Sequence, residues 1–139
     1  MKFLLALFVL VCTVGVVFAQ QYPIDGVWTN ELGSTVGIKA FSNGTLSGMY
    51  RSQVGTSPKD GAFPLRGTHT FAVNGTTFGF TVSWTTEEFL TTTAWSGQYL
   101  VDKDGNDLLV TTWTLVSGTS LEDAWESTNI GMDTFSRAK

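Results

Sequence analysis

Cysteine is almost missing from this chain: Cys12 is the only one, and it lies in an apolar run from Phe3 to Ala19. That run follows the positive start Met1-Lys2 and closes on Val17-Phe18-Ala19, the pattern of a secretory signal peptide. Broken by Thr13 and Gly15, it is short for a membrane-spanning helix, which needs about 20 apolar residues. Residues 1–19 are therefore expected to be removed, leaving residues 20–139 as one secreted, extracellular domain. The mature domain then has no thiol and no disulfide. Small secreted domains usually lean on disulfides, so a closed sheet or an oligomer has to supply the stability.

Histidine is equally scarce. With His69 alone and no mature cysteine, zinc and iron lack enough soft or imidazole ligands. No phosphate-binding loop or nucleophile elbow is present. Glu87-Glu88 is a carboxylate pair, but adjacent strand residues point to opposite faces, so it does not make an acid–base dyad. These absences argue against an enzyme and against a bound metal or cofactor. Positive charge is also in short supply. Loss of Lys2 leaves seven basic against twelve acidic residues, a net charge of −5, with no basic run. Nucleic acid and anionic membrane are excluded as partners on that ground.

What the chain has is Thr, Ser, Gly and aromatic residues in short runs separated by turn signals, among them Ser42-Asn43-Gly44, Val73-Asn74-Gly75 and Asp102-Lys103-Asp104-Gly105. Such runs read as strands. Eight are predicted: Gly26–Glu31, Thr35–Phe41, Thr45–Arg51, Pro64–Ala72, Thr77–Trp84, Thr92–Val101, Asp107–Leu115 and Ser127–Ser136. Ser120 to Trp125 is read as one short helical turn, with Ser120 capping and Asp123 three residues on. Tight turns imply antiparallel pairing. Of sandwich, jelly roll and closed barrel, closure best removes exposed edges, so the fold class expected is all-β, an eight-stranded antiparallel up-and-down β-barrel. Such a barrel is wide enough for one small ligand. Asn43-Gly44-Thr45 and Asn74-Gly75-Thr76 are acceptor sequons for N-linked glycans in a secreted chain.

Alternate residues of a strand share a face, and several such series mix large apolar with small polar side chains: Trp28, Asn30, Leu32, Ser34; Tyr50, Ser52, Val54; Thr91, Thr93, Trp95; Trp113, Leu115, Ser117. A dry core would leave these hydroxyls and amides unpaired at about 1–3 kcal/mol each. Apolar walls with a few placed donors and acceptors suit a small-ligand site.

The motifs Gly26-Val27-Trp28-Thr29-Asn30-Glu31-Leu32-Gly33-Ser34, Phe78-Gly79-Phe80-Thr81-Val82-Ser83-Trp84, Trp95-Ser96-Gly97-Gln98-Tyr99, Trp113-Thr114-Leu115-Val116-Ser117, Ala124-Trp125 and Gly131-Met132-Asp133-Thr134-Phe135 resemble, in order and spacing, the avidin and streptavidin family. The resemblance runs from Gly26 to Arg137. It implies a biotin-binding barrel. Asn30, Ser34 and Tyr50 would donate to the ureido oxygen, and Ser52 and Asp133 would accept from the ureido N–H groups. Thr93 would approach the thioether sulfur. Thr91 and a backbone N–H of Gly55 or Thr56 would hold the carboxylate. Trp84, Trp95, Trp113, Leu32, Val54 and Leu115 would form the walls. Trp125 would reach a neighbouring subunit's site, which implies a homotetramer arranged as a dimer of dimers. Residues 52–63 match the family's loop over bound ligand. Avidins often carry a disulfide, and with Cys12 alone this chain cannot form one within itself. Gly26-Val27-Trp28 also fits the start of a lipocalin, so a carrier of a small hydrophobic ligand is the alternative, although the chain is short for that family and lacks its C-terminal helix.

Overall fold

Alternation along the chain closes into a ring. A computed structural model describes residues 22–54, 61–85 and 90–139. Eight strands follow one another: β1 (Gly26–Asn30), β2 (Thr35–Ala40), β3 (Thr45–Arg51), β4 (Phe63–Ala72), β5 (Gly75–Thr85), β6 (Leu90–Val101), β7 (Asp107–Ser117) and β8 (Thr128–Arg137). Each pairs antiparallel with its neighbour in sequence, and β1 closes on β8 through Trp28↔Arg137, Thr29↔Ser136 and Asn30↔Phe135.

Three hairpins share one device. Asn30–Ser34, Phe41–Thr45 and Asp102–Asn106 are each bridged by a backbone bond from the first residue's N–H to the last residue's carbonyl. The fourth residue is Gly33, Gly44 or Gly105, with φ of 82°, 84° and 83°. That left-handed geometry suits glycine because it has no Cβ.

Strand ends differ from the sequence reading by one or two residues. β5 starts at Gly75 because Ala72 pairs with it directly across Val73-Asn74. β6 and β7 run longer because Thr85↔Leu90 and Thr91↔Ser117 extend the ladders. The helical turn expected over Ser120–Trp125 is instead a run of hydrogen-bonded turns. Ser120 Oγ donates to the Asp123 side chain at 3.1 Å. The signal segment 1–19, Gly55, Thr56 and the pair Glu87-Glu88 lie outside the described residues.

Inward side chains build the core in layers. At one end Ile24, Trp28, Leu109 and Phe135 are fully buried. Trp28 donates its indole N–H to Ile24 O at 3.0 Å. Arg137 latches this end shut. Its guanidinium lies 3.9 Å over the Trp28 ring, and it donates to Asp25 O, to Pro23 O at 2.6 Å and to Asp107 Oδ2 at 3.1 Å. His69 belongs to the same closed end, with Nε2 2.9 Å from Phe41 O and its ring 4.7 Å from that of Tyr22. The opposite end, where β1, β3 and β5 finish, holds the polar and aromatic series.

Candidate functional site

At the open end the β1–β2 hairpin places Asn30 and Ser34 side by side. Asn30 Oδ1 accepts from the N–H groups of Leu32 at 3.1 Å and Ser34 at 2.9 Å. With its oxygen held there, the amide NH2 is the end of Asn30 left to meet a ligand. Ser34 Oγ accepts from Gln53 N–H at 3.0 Å, which leaves its O–H to donate. Ser52 donates its O–H to Val54 O at 2.8 Å and accepts from Val54 N–H at 3.3 Å, which leaves its oxygen one lone pair with which to accept again. All three side chains are buried.

Tyr50 sits between these groups and an aromatic wall. Its ring stacks on Trp95 at 4.9 Å and meets Trp84 edge-on at 5.4 Å. Burial, reinforced by the charge of Asp133 and opposed by a hydrogen bond from Ser34, pushes its phenol up to about 12. Tyr50 is therefore a neutral donor at any ordinary pH.

Two indoles do more than line the wall. Trp84 Nε1 donates to Thr93 Oγ1 at 2.8 Å, and Trp95 Nε1 donates to Asp133 Oδ2 at 2.9 Å. Thr93 and Asp133 are buried. The result is one connected cluster, Asn30–Ser34–Tyr50–Trp95–Asp133 with Trp84 and Thr93 beside it. Donors gather around Ser34 and acceptors are offered by Ser52 and Asp133. Among the described residues there is no group of three or more His, Cys, Asp or Glu that could hold a metal ion. The cluster presents both donors and acceptors of hydrogen bonds.

A sequence model of the avidin family matches residues 18–138. The chain belongs to the avidin family. It is 37% identical to avidin from Gallus gallus over 126 residues, which cover 87% of this chain and 82% of that protein. Avidin-related protein 4/5 from Gallus gallus is 35% identical over 122 residues, covering 86% and 80%. An X-ray structure of a biotin-binding protein from chicken superposes with a TM-score of 0.74 at 35% identity, covering 83% of this chain and 95% of that one. Avidin-family membership decides between the two barrel readings of the sequence, against the lipocalin one.

Not every residue singled out from the sequence joins the buried cluster of this avidin-family barrel. Leu32 and Val54 remain 54% and 45% exposed: they stand on turns at the mouth, where strand alternation no longer sets direction. Thr91, Trp113 and Leu115 are half-buried, and Thr91 Oγ1 lies 3.4 Å from Ser117 Oγ. Trp125 is 78% exposed on the β7–β8 connection, and Asn43 and Asn74 are exposed on turns.

Four contributors were not singled out from the sequence as site residues. Phe80 stacks on Trp95 at 5.0 Å and Phe63 meets Trp84 at 4.9 Å. The alternating series Phe80, Val82, Trp84 carries the signal for Phe80. Thr111 Oγ1 donates to the Asp133 carbonyl at 2.9 Å and so ties β8 beneath the carboxylate. Gly131 pairs with Trp113, and a Cβ there would come within 2.3 Å of the Trp113 ring. The indole lies across the space that a side chain would fill.

Proposed function

We propose that this chain is a secreted biotin-binding protein that holds the vitamin in the open end of the barrel and so sequesters it. Asn30, Ser34 and Tyr50 donate to the ureido oxygen. Ser52 and Asp133 accept from the two ureido N–H groups, the latter by a charge-assisted bond. Thr93 donates to the thioether sulfur. Trp84, Trp95 and Trp113 flank the bicyclic head with Leu115, while Leu32 and Val54 border the tail. Thr91 with Gly55 or Thr56 receives the carboxylate. The observation that carries this reading is the fixed polarity of the cluster. Intramolecular bonds already commit the Asn30 amide as a donor and Ser52 as an acceptor, which is the pair of polarities a urea requires. Groups aimed in advance lower the ordering cost of binding.

The same proposal includes a homotetramer, a dimer of dimers, with Trp125 reaching a neighbour's site. Its support is the exposed apolar row of Val116, Ile130 and Met132 on the outside of β7 and β8, with Trp125 close by in sequence. Patches of this kind mark protein contacts. It acts as a binder, not an enzyme, without cofactor, nucleic acid or membrane, in the extracellular space. Asn43 and Asn74 are its glycan acceptors.

Titration with biotin, followed by tryptophan fluorescence and thermal melting, tests the reading. A ligand that binds only the native state stabilises it by RT ln(1 + [L]/Kd). A large rise in Tm is expected, and no shift at millimolar biotin overturns it.

A further inference from the structure

At the closed end β4 runs past its partner. β3 pairs with it only as far as Thr45↔Thr68, and His69 N–H donates to Gly44 O at 2.8 Å. Thr70, Phe71 and Ala72 continue beyond, paired to Thr77, Thr76 and Gly75 of β5. They carry the hairpin about 10 Å further at the usual rise per residue. Among the described residues no strand covers the other side of this overhang. Open edges invite pairing with other chains, and proteins usually blunt them with lysine, proline or a bulge. Thr70-Phe71-Ala72-Val73 has no such residue. Instead Phe71 is 50% exposed, Val73 fully so, and Phe41 on the adjoining turn is exposed too. Tyr22 meets Phe71 with one edge at 5.7 Å and leaves the rest open.

Both sequons flank this edge. Asn43 sits on the β2–β3 turn, next to the Gly44 carbonyl that binds His69, and Asn74 forms part of the turn that closes the overhang. Asn30 and Tyr50, which mark the mouth, are at the far ends of β1 and β3. Thr76, the third residue of the second sequon, is buried once the barrel forms, so attachment at Asn74 belongs to the nascent chain, before β5 pairs with β6. We propose that N-linked glycans on Asn43 and Asn74 cover the open β4 edge and its apolar side chains, in place of the charges that would otherwise protect it. This rests on the secreted reading, because such glycans are added only in the secretory pathway.

The test fuses residues 20–139 to a leader of proven export in a cell that glycosylates, so that the chain's own first segment is not at issue. Intact mass is measured before and after peptide-N-glycosidase treatment, and biotin binding is scored separately on the same samples. Two glycan masses are expected, one lost in Asn43→Gln and the other in Asn74→Gln. Stripping the folded protein should raise binding of an apolar dye several-fold and start association beyond the size of the glycosylated form. Asn74→Gln, which adds no charge, should do the same, and the pair Phe71→Thr and Val73→Thr should reverse it. Exported protein without glycan at either site overturns the proposal, as does stripping that changes neither dye binding nor size. Loss of biotin binding alone would count against the proposed ligand and leave this inference standing.

Discussion

Trp95 Nε1 donates to Asp133 Oδ2 at 2.9 Å, linking β6 to β8 over the intervening strand. The ring that stacks on Tyr50 also fixes one oxygen of the buried carboxylate. Trp95→Phe keeps an aromatic ring but removes this bond. A hydrogen bond to a charged group contributes about 1.5–3 kcal/mol, so biotin affinity should fall roughly 10–100-fold. Asp133→Ala should cost more, and Glu126→Ala, on the exposed β7–β8 connection, nothing. Titration calorimetry by competition with a weaker ligand reads all three. Equal small effects would remove Asp133 from the site.

Trp84 should control preference for sulfur. Its N–H occupies a lone pair of Thr93 Oγ1, which frees the Thr93 O–H to donate. In Trp84→Phe the hydroxyl is released to rotate. Biotin should then lose about fivefold more affinity than its sulfur-free analogue desthiobiotin, as expected for one neutral hydrogen bond of about 1 kcal/mol. A constant ratio between the two ligands would refute the role.

Tyr50 sets an alkaline limit. Its folded value of about 12 stands above the ordinary tyrosine value of 10.0. A raised value means that the folded state prefers the neutral phenol. Its contribution to stability is complete below pH 10 and is lost progressively as pH rises towards 12, where the unfolded chain releases a proton that the folded chain retains. Denaturant melts of wild type and Tyr50→Phe should run parallel up to pH 10 and converge above it. Ultraviolet titration should show one fewer late-ionising tyrosine in the variant.

Arg137→Ala should loosen the closed end without touching the ligand. It removes the bonds to Pro23, Asp25 and Asp107 and the cation over Trp28. Partial exposure of the Arg137–Asp107 pair tempers the loss, and about 2–3 kcal/mol is expected. Calorimetric melting should show a lower Tm, with biotin affinity in the native range nearly unchanged.

Trp125→Lys tests the assembly. Wild type should elute at about four times the monomer mass, and the variant should dissociate more readily or bind biotin less tightly. A monomer that binds biotin as tightly as the wild type would remove the cross-subunit role.

How far the sequence reveals all this depends on how local each cause is. Strands are legible because Gly33, Gly44 and Gly105 punctuate them, and Asn30–Ser34 is legible because its partners are four residues apart. Their exact ends are not, since a ladder stops where its partner stops, as Thr85↔Leu90 shows. The bonds Trp95–Asp133 and Trp84–Thr93 join residues 38 and 9 apart, and no periodicity carries them. Resemblance to the avidins named Asp133 and Thr93 but not the indole nitrogens that hold them. Leu32 and Val54, which the resemblance gives as walls, stand on turns past the strand ends, where alternation no longer sets direction. Over Ser120–Trp125 the expected helical turn gives way to hydrogen-bonded turns, since the segment is too short to continue a helix.

The seam between the first and last strands has a practical side. Ala138 N–H donates to Val27 O at 3.0 Å, so the backbone comes into the ring and goes out of it at neighbouring points on the sealed base. A tag, tether or fused partner joined at either point projects away from the aperture. Surface immobilisation through either should leave the ligand's path clear.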